Sequence, residues 1–189
     1  MAVDNIADSI KSLYSANADF ANAHFLVVTV PDIGKVPEVN RDRKLAKTAT
    51  SLSKKFNDKL SSNLASLQSA SCCTDINITM FNFFDFFNTA IIEEGGFSNT
   101  RDACITAMDF DTEPDSTGTV TAEIVSTHRD CDTGSNDSIN EFVFIDSIHL
   151  TALAHYLIGR ELTECFADPS SDYCTQPEQP TSGRRGRRR

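Results

Sequence analysis

The sequence predicts an α/β fold, a layered sheet with crossover helices, in which part of the sheet is not encoded by these 189 residues. Three observations lead there. Helical periodicity alternates with short β-rich runs, as βαβ units require. The run HFLVVTVP (His24 to Pro31) is almost continuously apolar and β-branched, the signature of a strand buried on both faces of a parallel sheet. Only two convincing core strands are present, and a lone parallel pair leaves long edges unpaired.

In chain order, Val3, Ile6, Ile10, Leu13 and Tyr14 recur at helical spacing and predict a helix over about residues 3–16. The strand from His24 follows, closed by a turn at Pro31-Asp32-Ile33-Gly34 and Pro37. From Asn40 to Leu67 the pattern is helical again. Leu45, Ala49, Leu52, Phe56 and Leu60 project within about 80° of one another at about 100° per residue, which makes them the expected buried face. Asp75 to Phe81 alternates polar and apolar residues and reads as a strand. Phe83 to Ile92 reads as a short helix closed by Gly95-Gly96. Residues 97–140 read as an irregular acidic loop with one strand-like piece, Val120 to Val125, suited to a hairpin. After Phe142-Val143-Phe144-Ile145, the stretch Asp146-Ser147-Ile148-His149 leads into a helix carried by Leu153, Ala154, Leu157, Ile158 and Leu162. The expected organisation is a domain over 1–166 and a linker-like tail over 167–189 with a basic end.

Composition narrows the function classes. Leu, Ile, Val and Phe supply 46 residues, enough for a core and above the level of disordered chains. No stretch reaches the roughly 18 apolar residues of a membrane span. The formal charge of −10 understates the acidity, because the last seven residues carry five arginines and residues 1–182 stand at −15. Such a body repels nucleic acid and anionic membranes, so neither is an expected partner. Six cysteines point to disulfides in an oxidising compartment, while the opening MAVDNIADSI lacks the apolar run of a secretory signal. The two agree if a signal and the first strands lie upstream of Met1, which is the expectation. Cys104–Cys131 and Cys165–Cys174 would each close a modest loop, though spacing leaves the connectivity open. There is no Cys-x-x-Cys pair, and adjacent Cys72 and Cys73 cannot easily face one ion, so no metal is expected. Asp109, Asp111, Glu113 and Asp115 alternate like a calcium loop, but Pro114 and Val120 stand where the turn glycine and the closing glutamate belong.

The chemistry-bearing pair is Asp146 and His149. An Asp-x-x-His directly after a strand puts the imidazole at the strand's carboxyl end, where open α/β sheets hold their ligands. The carboxylate can curl back onto one ring nitrogen, fix the tautomer and leave the other nitrogen to take a proton from a hydroxyl. The plain alternative makes Asp146 a helix N-cap and His149 a first-turn residue. His24 and His128 have no partner at useful sequence spacing, and the Phe83–Phe87 aromatics read as core and lid packing. Asn77 and Asn136 head glycosylation sequons.

FVFIDSIHLTALAHYLIGREL resembles the C-terminal block of the GDSL/SGNH hydrolases, with Asp146, His149, Thr151 and His155 in matching places and Leu150 where the family has proline. FLVVTVPDIGKVPEV, INITMFNFFDFFNTAI and GGFSNTRDACI resemble earlier segments of the same family, in the same order. The resemblance implies a flavodoxin-like three-layer α/β/α fold, truncated here at its N-terminus. It also implies a serine ester hydrolase acting on carboxylic esters without a cofactor, secreted as a family, with Asp146 and His149 as the catalytic pair. Its Gly-Asp-Ser nucleophile block, oxyanion glycine and Gly-x-Asn-Asp block have no match in this chain; Asp8-Ser9 follows Ala7 within a helical pattern. The expectation is a C-terminal portion of such an enzyme, inactive alone and taking a small ester or lipid substrate only when completed. A non-catalytic interaction module, or one half of a split esterase, are the alternatives.

Overall fold

The computed structural model describes residues 2–16, 23–73, 75–110 and 122–178. Helix α1 (Ala2–Ala16) leads to strand β1 (His24–Val28), a 3-10 turn (Ile33–Lys35), α2 (Pro37–Asn40) and the long α3 (Arg43–Gln68). Strand β2 (Asn77–Phe81) and α4 (Phe83–Phe86) follow, and α4 widens into a π-helical segment (Phe87–Glu93). Then come β3 (Asn99–Ala103), β4 (Ile105–Phe110), β5 (Ala122–Thr127), α5 (Asn136–Ile139), β6 (Phe142–Phe144), α6 (Ala152–Ala167) and β7 (Cys174–Thr175).

The fold is mixed α/β, and among the described residues the strands are divided among three small sheets rather than gathered in one. β1 pairs parallel with β2, Phe25 opposite Ile78 and Val27 opposite Met80, and β7 adds antiparallel to the far edge of β2. β3 pairs parallel with β6, and β4 pairs antiparallel with β5. On one face of the first sheet, α1 and α3 bury Val3, Ile10, Leu60 and Leu64 against Ile78 and Met80, with Phe25 and Val27 packed beside them. The other face sends Phe81 into a second cluster with Phe86, Phe87, Val143, Phe144 and Ile158. A third, smaller cluster joins Cys104, Cys131, Ile105 and Phe142.

Four expectations need correcting. β1 is not buried on both faces: its residues are half-buried and Val28 is 43% exposed. Among the described residues β1 has a strand on one edge only. The predicted apolar arc of α3 is buried only in its second half: Leu60 is buried and Phe56 packs against the same cluster, while Leu45 and Leu52 are exposed. Its inward stripe is small and polar in the first half. Asp32 accepts from Gly34 N–H and from the Thr50 hydroxyl, and the Asn57 amide bonds both N–H and C=O of Val30, each at 2.9 Å. These side chains hold the turn after β1, which needs hydrogen-bond partners more than apolar contact.

Residues 97–140 are not irregular throughout, since β3, β4 and β5 lie within them; Ala122 to Val125 of the hairpin reading belong to β5 on β4, while Val120 and Thr121 lie outside the described residues. Beyond Asp168 the chain is not linker-like as far as Glu178: β7 bonds β2, and Tyr173 packs edge-on to Phe86. Polar composition hid this ordering, which the Cys165–Cys174 pair pins down.

Candidate active site

Strand β6 is wholly buried, so its carboxyl end is a fixed point from which the following loop is built. The chain doubles back there. Ile145 N–H donates to His149 C=O at 2.9 Å, Leu150 bridges Phe144, and Thr151 N–H donates to Val143 C=O. Thr151, 1% exposed, caps α6 through its hydroxyl oxygen and donates that hydroxyl to Phe142 C=O at 2.9 Å. The helix therefore starts at Ala152, and Thr151 rather than Asp146 is its N-cap. From outside, Glu38 N–H in the first turn of α2 donates to Ser147 C=O at 3.0 Å, tying the loop to the segment after β1.

Within this loop Asp146 organises everything. Its Oδ1 accepts the backbone N–H groups of Ile148 (2.8 Å) and His149 (2.7 Å), and its Oδ2 accepts Nδ1–H of the His149 ring at 2.8 Å. The Asp146 side chain is 27% exposed and that of His149 72%, so the carboxylate sits inside and the imidazole at the surface. Burial alone would raise the Asp146 pKa. The two backbone N–H groups and the imidazole outweigh it and hold the carboxyl below its ordinary value. The pair thus has a committed anion, a ring with its Nδ1 engaged and an Nε2 for which no hydrogen-bond partner stands among the described residues. An imidazole held in this way can accept a proton from a hydroxyl brought to its Nε2.

No serine, threonine or cysteine among the described residues hydrogen-bonds the His149 ring. Ser9 lies exposed within α1. His155, the other histidine of the resemblance, bonds back to Thr151 C=O of its own helix at 3.1 Å. His24 and His128 do have partners: Thr79 and Asp102 are distant in sequence and invisible to spacing, whereas Asp130 lies two residues from His128. His24 Nε2 is 2.7 Å from the Thr79 hydroxyl. His128 Nδ1 accepts Asp130 N–H, its Nε2 lies 4.0 Å from Asp102, and its ring meets Phe142 edge-on. A cleft of about 390 Å³ opens elsewhere, between Asn57 of α3, Asn82 and the Thr175–Glu178 segment, and includes neither Asp146 nor His149. Asp111, Glu113 and Asp115 lie outside the described residues, as does the side chain of Asp109. Among the described residues no group of three His, Cys, Asp or Glu side chains is placed to hold a metal.

A family model for GDSL-like lipase/acylhydrolase matches residues 2–162, most of the chain and the whole of the loop just described. The chain belongs to the GDSL-like lipase/acylhydrolase family. A search of curated proteins found no match. Membership makes the protein one of ester-hydrolase kind, and the GDSL match runs through Asp146, His149 and the first two-thirds of α6. The GDSL resemblance drew attention to Thr151 without explaining it; the structure gives it the capping and β6-anchoring bonds that set where the loop ends. What sequence reasoning missed is the Glu38–Ser147 tie, a backbone contact that no side-chain pattern reveals.

Proposed function

We propose that this chain supplies the acid–base half of a GDSL-type carboxylic ester hydrolase, and that the serine nucleophile and oxyanion donors come from polypeptide outside these 189 residues. The complete domain is then a flavodoxin-like α/β/α sandwich, of which this chain forms the C-terminal part, and the chain alone does not turn over esters. One observation carries the reading: the 2.8 Å bond from His149 Nδ1–H to a carboxylate fixed by two backbone donors, with the ring at the surface beyond a buried strand. Asp146 holds the tautomer in which Nε2 is the basic nitrogen and steadies the imidazolium once formed. His149 takes the serine proton as the hydroxyl attacks the ester carbonyl and returns it to the departing alcohol, leaving an acyl-serine that water then hydrolyses by the same relay.

The test is complementation. The chain extended at its N-terminus by a family segment bearing Gly-Asp-Ser and Gly-x-Asn-Asp is assayed with a short-chain nitrophenyl ester. The extended protein is expected to hydrolyse it, and His149→Ala to remove that activity while shifting stability by no more than about 0.5 kcal/mol, as for other exposed side chains. A folded extended protein in which His149→Ala leaves hydrolysis intact would refute the assignment.

A further inference from the structure

Two asparagines head Asn-x-Ser/Thr sequences, Asn77-Ile78-Thr79 and Asn136-Asp137-Ser138, and the fold treats them in opposite ways. Asn77 opens β2, the central strand of the β1-β2-β7 sheet. Ile78 and Thr79 are wholly buried, and the Thr79 hydroxyl lies 2.7 Å from His24 Nε2 of β1. Freeing that hydroxyl means parting the sheet at its middle strand, an opening close in cost to global unfolding. Asn136 lies instead between Cys131, paired with Cys104, and the buried β6. Asp132, Thr133, Gly134, Asn136 and Asp137 are all exposed, and the Asn136 amide has no hydrogen-bond partner among the described residues. The Ser138 hydroxyl accepts Asp132 N–H at 2.8 Å and donates to Asp130 C=O at 3.4 Å. Both bonds lie at the surface, where water replaces them at little cost. α5 is a single turn, so residues 136–138 can unwind without breaking a strand pair.

The modification that such a sequence takes is an N-linked oligosaccharide, which belongs on a surface loop. In the transfer, Asn Nδ2 bonds to C1 of a sugar carried on a lipid diphosphate. The bond from C1 to the phosphate oxygen breaks, the lipid diphosphate leaves with that electron pair, and one amide proton passes to a base. The transferase engages the amide and the hydroxyl two residues on, so both have to be within its reach. At Asn136 they are, before and after folding; at Asn77 the hydroxyl is reachable only while β2 is unformed. The Cys104–Cys131 and Cys165–Cys174 pairs call for an oxidising compartment, of which the secretory lumen, where such transfer takes place, is one.

We infer that Asn136 accepts an N-linked oligosaccharide and stays open to transfer in the folded chain, whereas Asn77 closes once β2 is in place. The inference rests on the compartment and on the two local structures, and is independent of the ester-hydrolase reading. The test uses the full chain, expressed behind a cleavable secretion signal in a eukaryotic cell. In the Asn77→Gln variant, peptide N-glycosidase should release a glycan from the secreted protein and convert Asn136 to aspartate, read by mass spectrometry of the peptide. Adding Asn136→Gln should abolish that glycan, and so should adding Ser138→Ala, which keeps the asparagine. Dithiothreitol in the medium delays disulfide closure and folding. In the unsubstituted chain it should raise occupancy at Asn77 severalfold and leave that at Asn136 unchanged. A secreted Asn77→Gln protein with its cysteine pairs closed and Asn136 bare overturns the inference, as does a glycan at Asn136 that forms only under reductant. Occupancy at Asn77 equal to that at Asn136 without reductant overturns it too, by showing that a buried Thr79 does not close its sequence to the transferase.

Discussion

Asp146 does two jobs with one carboxylate: Oδ1 closes the loop on two backbone donors and Oδ2 orients the ring. Its depressed pKa makes the loop pH-dependent in a definite direction. A carboxyl held below its ordinary 3.8 contributes stability that is fully present above that value and is lost as pH falls through the folded pKa. An NMR titration of the folded chain should place the Asp146 midpoint below 3.8, and Asp146→Asn should flatten the acid limb of the stability profile over that window. Asn keeps an oxygen for the two backbone N–H groups but not the charge that steadies an imidazolium. In the completed enzyme it is therefore expected to cost on the order of 10³-fold or more in kcat while the fold persists. A midpoint at or above 3.8 would count against the bond geometry. The Asp-x-x-His pair was legible in the sequence because both partners lie within one loop. Thr79 beside His24 and Asp102 beside His128 were not, because they come from other strands.

Among the elements, β6 and α6 are joined so that Thr151 bears on both. Its hydroxyl donates to Phe142 C=O and its oxygen receives Ala154 N–H, in a site almost without solvent. Thr151→Ala removes a cap and leaves a buried carbonyl short of a donor, an expected loss of about 2 kcal/mol in urea unfolding; Thr151→Ser should recover most of it. Equal losses in the two variants would mean that the methyl, not the hydroxyl, matters. Element existence was read well from the sequence, because α1, α3, β2 and α6 have clear periodicity. The buried face of α3 was read correctly at Phe56 and Leu60 and wrongly in the first half of the helix. A hydrophobic-moment argument assumes that the inner face is the apolar one, and here Thr50, Ser53 and Asn57 are turned in to satisfy the backbone after β1. Leu45 and Leu52 were left outside, 50% and 59% exposed.

For the molecule as a whole, the consequence of separate clusters and small sheets is that no single core secures the described residues. Two cysteine pairs stand at the joints. Cys104–Cys131, Cα atoms 5.4 Å apart, lies within the third cluster and ties the start of β4 to the segment after β5. Cys165–Cys174, at 5.6 Å, fastens the end of α6 to β7 in the second cluster. The loops they close span 27 and 9 positions, and the loop-entropy relation gives each closure about 3 kcal/mol, the longer loop slightly more. A domain of this size has a total stability of about 5–15 kcal/mol, so losing both would remove a large share of it. Peptide mapping without reductant should recover these two pairs. The double variant Cys165→Ser/Cys174→Ser should lower stability by about 2–4 kcal/mol and expose the 168–178 segment to protease, with β6 and the Asp146–His149 loop remaining protected. Proteolysis that instead began in the loop after β6 would show that the β7 clasp holds up the Asp146–His149 loop, and that the two ends of α6 are not independent.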